Sequence, residues 1–162
     1  MLTDSQKQVV KTAILADQAL AAQPMNSDGA FAIAAALNEA AAPDFIVWRT
    51  SVELEEITQN GFDWTLVDAL NVGQARIWEW LFGNPSRTIN PSKPNVRQGI
   101  ANVWTGTAGK LAAQAAVLGH CKRKATRVEK LLATGTGSDA APATMGFEGP
   151  ISYQDVQDAR VS

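Results

Sequence analysis

Residues 108–133 constrain this chain more than any other stretch. Leu111, Ala115, Leu118, Cys121, Ala125, Val128 and Leu132 step by 4, 3, 3, 4, 3 and 4. That repeat draws one narrow apolar stripe along an α-helix. Read as a single helix, the stretch is about 40 Å long, and Gly135 supplies a C-terminal stop. The opposite face begins small, with Ala112, Ala116 and Gly119, so another helix can approach closely there. It then turns basic: His120, Arg123, Arg127 and Lys130 recur at spacings of 3, 4 and 3. These four form a candidate polyanion-facing or inter-subunit electrostatic face. The alternative is that they simply match the negative end of the helix dipole.

The rest of the chain reads as shorter helices. One is expected from Ser5 to Ala21, stopped at Gln23-Pro24. A second runs from Asp28 to Ala41, capped from Asn26-Ser27-Asp28 and ended by Pro43. Phe45-Ile46-Val47-Trp48 is either a brief strand or an extended linker, and the linker is favoured because no pairing strand is evident. Thr50-Ser51-Val52-Glu53 reads as a capping box opening a short helix that ends near Asn60-Gly61. Trp64 to Leu70 offers a further turn or two. The next helix, Gly73 to Phe82 capped by Asn71, carries Ile77, Trp78, Trp80, Leu81 and Phe82 over more than half its wheel. Its tryptophans read as core, with a stacking platform for bases as the alternative. A proline-containing loop, 83–95, leads into a helix that Asn95 caps and that runs to Trp104. Arg87, Lys93 and Arg97 make this region a second basic candidate. An Ala-rich composition poor in β-branched runs points the same way. The expected fold is all-α: a helical bundle with one long C-terminal helix, followed by an extended C-terminal tail.

That tail, 135–162, opens small and polar and then presents isolated anchors: Met145, Phe147, Ile151, Tyr153 and Val156. Spaced apolar residues in such a context suggest a segment that orders on a partner or neighbour; packing on its own domain is the plainer reading. The expected division is therefore a helical domain, 1–134, and a partner-binding tail, 135–162.

Charge is segregated along the chain. Residues 84–134 carry nine Lys/Arg and one acid, a balance of +8. Residues 1–83 carry four bases and eleven acids, −7, and the tail one base and four acids, −3. Such a pattern suits either a polyanion facing one part or complementary surfaces of neighbouring copies.

Catalytic chemistry is sparse. The one histidine and one cysteine are adjacent, His120 and Cys121, and on a helix neighbouring side chains point about 100° apart, so they cannot act as a nucleophile–base pair. There is no CxxC pair and no HExxH. No catalytic residue, metal or cofactor is expected. The N-terminus lacks the charged and apolar regions of a signal peptide, and no run approaches the ~18 apolar residues of a membrane span.

Several strings are distinctive: Pro24-Met25-Asn26-Ser27-Asp28-Gly29, Phe45-Ile46-Val47-Trp48-Arg49-Thr50, Arg76-Ile77-Trp78-Glu79-Trp80-Leu81-Phe82 and Ile89-Asn90-Pro91-Ser92-Lys93-Pro94-Asn95-Val96-Arg97. The ending Gly146-Phe147-Glu148-Gly149-Pro150-Ile151-Ser152-Tyr153-Gln154-Asp155-Val156 completes the pattern. Over nearly its full length the chain resembles small tailed-phage and prophage proteins of structural gene clusters, in particular the neck proteins that act as head-to-tail adaptors. The resemblance implies a helical virion protein, assembled in the host cytoplasm. It would form a homo-oligomeric ring, commonly twelvefold, beneath the phage portal protein. Its other partners would be a downstream neck or tail protein and, non-specifically, the genomic DNA in the channel. Two alternatives stand beside it: a sequence-tolerant packaging factor of the small-terminase type, and a head-completion or tail-terminator protein of the same particle.

Overall fold

A computed structural model describes residues 1–59 and 62–162. The expected end of a helix at Asn60-Gly61 lies outside the described residues. In chain order the elements begin with α1 (Asp4–Ala16), α2 (Gln18–Ala21), α3 (Ser27–Asn38), β1 (Ile46–Trp48), β2 (Val52–Glu53) and α4 (Leu54–Thr58). They continue with α5 (Thr65–Asp68), α6 (Val72–Leu81), β3 (Thr88–Ile89), α7 (Pro94–Val103) and α8 (Ala108–His120). The last are β4 (Lys122–Lys124), α9 (Arg127–Leu132), β5 (Ala133–Thr134), β6 (Thr144–Met145) and α10 (Tyr153–Val161). About 54% of the chain is helical and 11% lies in small antiparallel strand pairs, so the fold is mixed α/β, not all-α.

The single long helix expected over 108–133 is absent. The chain leaves the helix after His120, runs extended through Lys122–Lys124 opposite β1, and re-enters helix at Arg127. Two local causes act together. Three consecutive cations, Lys122, Arg123 and Lys124, crowd like charge on a helix but alternate across a strand. Thr126 and Glu129 then form a reciprocal N-cap. Glu129 N–H donates to Thr126 Oγ1 at 3.3 Å, and Thr126 N–H donates to Glu129 Oε2 at 2.9 Å. A cap satisfied in this way starts a helix rather than continuing one. The stripe holds in part: Cys121, Ala125 and Val128 are buried, whereas in α8 Leu111 and Ala115 are exposed and Ala113 and Val117 are buried instead.

The chain divides into two compact units, 1–47 with 124–162 and 48–123, a different partition from 1–134 and 135–162. In the first unit α10 packs on α1 and α3, and α9 packs on α1 and α3. The core holds Val10, Ile14, Ile33, Leu37, Val128, Ile151 and Val156. The C-terminal segment is therefore not an extended tail. Ile151 and Val156 are 3% and 0% exposed, Phe147 and Tyr153 pack against the same core, and Met145 packs on the Val47–Ala125–Ala143 cluster. Tyr153 also stacks on Phe31, ring centroids 4.3 Å apart. The segment is fixed by polar bonds as well. Buried Glu129 accepts from Gly149 N–H at 3.0 Å, and Asn38 bonds both backbone groups of Ile151. Ser152, extended, caps α10 and accepts from Asp155 N–H. The stretch that looked like a flexible linker pairs too. Ile46 N–H donates to Gly137 O at 2.7 Å, and Ala143 N–H donates to Ile46 O at 2.9 Å. Gly137 has φ 68°, and a Cβ there would fall 2.2 Å from the Phe45 ring, so backbone freedom and space both demand glycine.

The first helix is also shorter than expected. Asp17 breaks it into α1 and α2, leaving helical geometry (φ −98°, ψ 110°) to accept from Ala19 and Leu20 N–H groups. In the second unit α6 packs on α7 and α7 on α8. The capping box expected at Thr50–Glu53 is displaced by three residues, because Val52–Glu53 pair as a strand with Thr88–Ile89 and the helix starts at Leu54. The core gathers Ile57, Trp78, Phe82, Ile89, Ile100, Trp104 and Val117. Trp104 stands edge-to-face against Trp78 and Phe62. Among the described residues its buried Nε1 has no hydrogen-bond partner. Of the tryptophans in α6, Trp78 is core but Trp80 is 73% exposed.

Candidate functional site

Two places collect functional-type side chains, one in each unit. In the first unit an open groove of about 480 Å³ runs between α1, α3 and α9, with Ala13, Ala16, Leu20, Leu37 and Leu131 among its walls and Asp17, Arg127 and Lys130 on its rim. It shares Ala13, Ala16 and Leu131 with a second groove of similar size along Val9 and Thr12. Arg127 Nη2 donates to Asp17 Oδ2 at 2.9 Å. The Leu20 N–H first, and Arg127 next, hold the Asp17 carboxyl below its usual range. The Lys130 ammonium lies 5.6 Å from the Phe45 ring centroid. Both basic side chains are thus fixed by neighbours rather than carried on a bare helix face.

In the second unit Arg49, Glu56, Trp48, Arg97, His120 and Lys122 come together. Arg49 grips Glu56 with a two-pronged fork, Nη1–Oε2 at 2.5 Å and Nη2–Oε1 at 3.1 Å. Its Nη1 also donates to the His120 carbonyl at 3.2 Å. The Arg49 bond outweighs desolvation and holds the Glu56 carboxyl below its ordinary range. Arg97 lies 4.7 Å and Lys122 5.9 Å from the Trp48 ring centroid. Arg97 Nη1 donates to the Pro91 and Ser92 carbonyls at 2.7 and 2.9 Å. Cys121, wholly buried beside this cluster, has its thiol pushed up to about 12, chiefly by desolvation.

These positions reassign the expected site residues. His120 ends α8, Arg123 lies in β4, and Arg127 and Lys130 lie in α9. The helix that would have aligned all four is interrupted, so their spacing no longer defines a common face. Arg87 is exposed, at φ 49°, and its carbonyl accepts from Leu54 N–H. Lys93 occupies the N-cap position of α7, with no side-chain cap bond, and is exposed. Of that basic group Arg97 alone joins the Trp48 cluster. The anchors Met145, Phe147, Ile151, Tyr153 and Val156 are spent inside the first unit. Trp48, Arg49, Lys122 and Asp17 were not singled out by spacing. The available signals were the adjacency of an aromatic and a cation at 48–49 and the helix-breaking cap at Asp17.

Among the described residues no group of three His, Cys, Asp or Glu side chains is placed to hold a metal ion, and no helix is long and apolar enough to cross a membrane. No protein-family model matches the chain, and neither a curated protein nor a solved structure matches it.

Proposed function

We propose that the chain is a structural protein of a tailed-phage neck, a head-to-tail adaptor whose copies form a ring under the portal and extend the DNA channel. The observation that carries this reading is the distribution of exposed large apolar side chains over both units. Leu15, Met25 and Phe31 lie on the first unit; Trp64, Val72, Trp80 and Leu111 lie on the second. Such side chains favour association when covered. A heterologous ring needs two different patches on every copy, one for each neighbour, and this distribution supplies candidates for both. The strings in which the sequence resembles neck proteins support the same assignment. Virion location, portal and downstream neck or tail protein belong to this proposal.

The test is electron microscopy of the full chain, alone and after mixing with the portal of its own gene cluster, together with co-sedimentation. A ring of chain density on the tail-side face of the portal is expected. A chain that stays in the supernatant at saturating portal refutes the reading. Density at the far end of a tail tube would assign it instead as a terminator.

A further inference from the structure

We propose that the groove between α1, α3 and α9 in the first unit binds a small amphiphilic carboxylate of the medium-chain fatty-acid class, its chain on the apolar walls and its carboxylate on Lys130 and Arg127. The groove, of about 480 Å³, falls within the roughly 300–1,000 Å³ of small-ligand sites. It reaches the core: Leu20, Leu37 and Ala41 among its walls are 5%, 1% and 4% exposed. Walls drawn from the core mark a pocket for a small molecule rather than a patch for another protein. Ala13, Ala16 and Leu131 carry the groove on into its neighbour, which follows α1 back to Ser5. From Ser5 to Ala16 along one helix is about 16 Å, at 1.5 Å per residue. The combined space is therefore long, which suits a chain better than a compact ring.

The mouth selects the charge. α9 presents Arg127, Lys130 and Leu131 at i, i+3 and i+4, so both cations and an apolar wall share one helix face. Among the described residues that line the groove Asp17 is the one acid, and both its oxygens are engaged. Oδ1 accepts from the Ala19 and Leu20 N–H groups, and Oδ2 accepts from Arg127 Nη2. Asp17 is thus committed to placing Arg127, and two cations against one anion leave the mouth net positive. The Lys130 ammonium rests 5.6 Å from the Phe45 ring centroid, a contact that restrains it but takes none of its three N–H donors. Among the described residues those donors, with Nη1 and Nε of Arg127, have no acceptor. A carboxylate offers acceptors to both cations at once, whereas an ammonium head would be repelled and an alkyl end would leave the donors unmet. The site makes no use of the neck reading, and either can fail without the other.

The test is isothermal titration of the full chain with decanoate, kept below the concentration at which it forms micelles. One molecule per chain is expected to bind. Octanoate and then hexanoate should bind more weakly, by roughly fourfold for each methylene lost from the groove. Decanol, with the same chain and no charge, should bind roughly tenfold more weakly or worse. Lys130→Gln should bring decanoate close to decanol and leave decanol unchanged. Ala16→Phe, at an exposed position ending α1, should obstruct the groove without entering the core and weaken both ligands by roughly tenfold or more; it decides the case if Lys130→Gln misfolds. Lys93→Gln, an exposed cation in the other unit, should change nothing. No saturable decanoate binding, equal affinity for decanoate and decanol, or binding untouched by both groove variants overturns the inference. So does a dimer of the chain that Ala16→Phe dissociates and decanoate does not, which would make a second copy the occupant. Decanoate binding with these determinants but no ring on the portal would sink the neck reading alone.

Discussion

Ile151→Ala tests the claim that the C-terminal segment is core. The side chain is 3% exposed, and burying an isoleucine stabilises by about 1.5–3 kcal/mol. Truncation also leaves a cavity, so Ile→Ala in a packed interior costs about 2–5 kcal/mol. How much depends on whether the site can collapse. Here it has little freedom: Asn38 Oδ1 accepts from Ile151 N–H and Asn38 Nδ2 donates to Ile151 O, both at 2.9 Å. With the backbone pinned from both sides, a loss of about 3–5 kcal/mol is expected, large against a domain stability of roughly 5–15 kcal/mol. The assay is urea unfolding of the full chain by far-ultraviolet circular dichroism. All five tryptophans, at 48, 64, 78, 80 and 104, lie in the second unit. Their emission therefore reports whether that unit follows the first or unfolds apart from it, and a two-state fit is used only if the transitions coincide. Val161→Ala, at a 78% exposed position in α10, is the control; it should stay within about 0.5 kcal/mol. An Ile151→Ala cost below about 1 kcal/mol would refute the reasoning, because a segment that merely lay on the surface would lose no more.

Two further outcomes follow from titratable groups. Desolvation alone raises the Asp155 pKa, but hydrogen bonds from Ser152 and from Leu2 N–H outweigh it and leave the carboxyl below its ordinary value. Its stabilising contribution is present above the unfolded-state pKa of about 3.9 and is lost as pH falls through the lower folded value. Asp155→Asn should therefore flatten the acid limb of a stability-versus-pH curve measured by urea unfolding, and an unchanged limb would count against this role. Cys121, wholly buried and with its thiol raised to about 12, should resist an aromatic disulfide reagent at neutral pH and react in denaturant; rapid labelling of the native chain would contradict the placement.

Much of the helical layout was legible because it rests on local chemistry. Asn71 caps α6 as its sequence suggests, accepting from Gln74 N–H at 2.9 Å. Asn26 does the same for α3 through Gly29 N–H at 3.0 Å. What was missed depends on competition between signals. Over 108–133 the apolar repeat favours one helix, while Thr126-x-x-Glu129 specifies a new start. Periodicity records which residues face a core and not whether the backbone between them is continuous. The partner of β1 was invisible because it lies inside that supposed helix. Ser152-x-x-Asp155 is likewise a helix start, and it was overshadowed by the Gly and Pro residues before it. For the candidate site, Arg97 was legible as a cation of a basic region, but its stacking on Trp48 joins residues 49 positions apart in sequence, which no local pattern contains.

The charge pattern shows why order along a chain is a poor guide to a field in space. The sequence separates −7 from +8, yet the basic stretch 84–134 is divided between the two units. The first unit holds six Lys/Arg against ten Asp/Glu, −4, and the second holds eight against six, +2. Pairing reduces the field further: Arg127 is tied to Asp17 at 2.9 Å, and Lys124 to Asp44 at 2.7 Å, so basic residues of the late stretch meet acids of the early one. Part of the sequence dipole is thus neutralised within the first unit. The field at the surface is therefore set by local arrangements, as at Trp48, where Arg97 and Lys122 lie beside one aromatic ring rather than in a run of like charge.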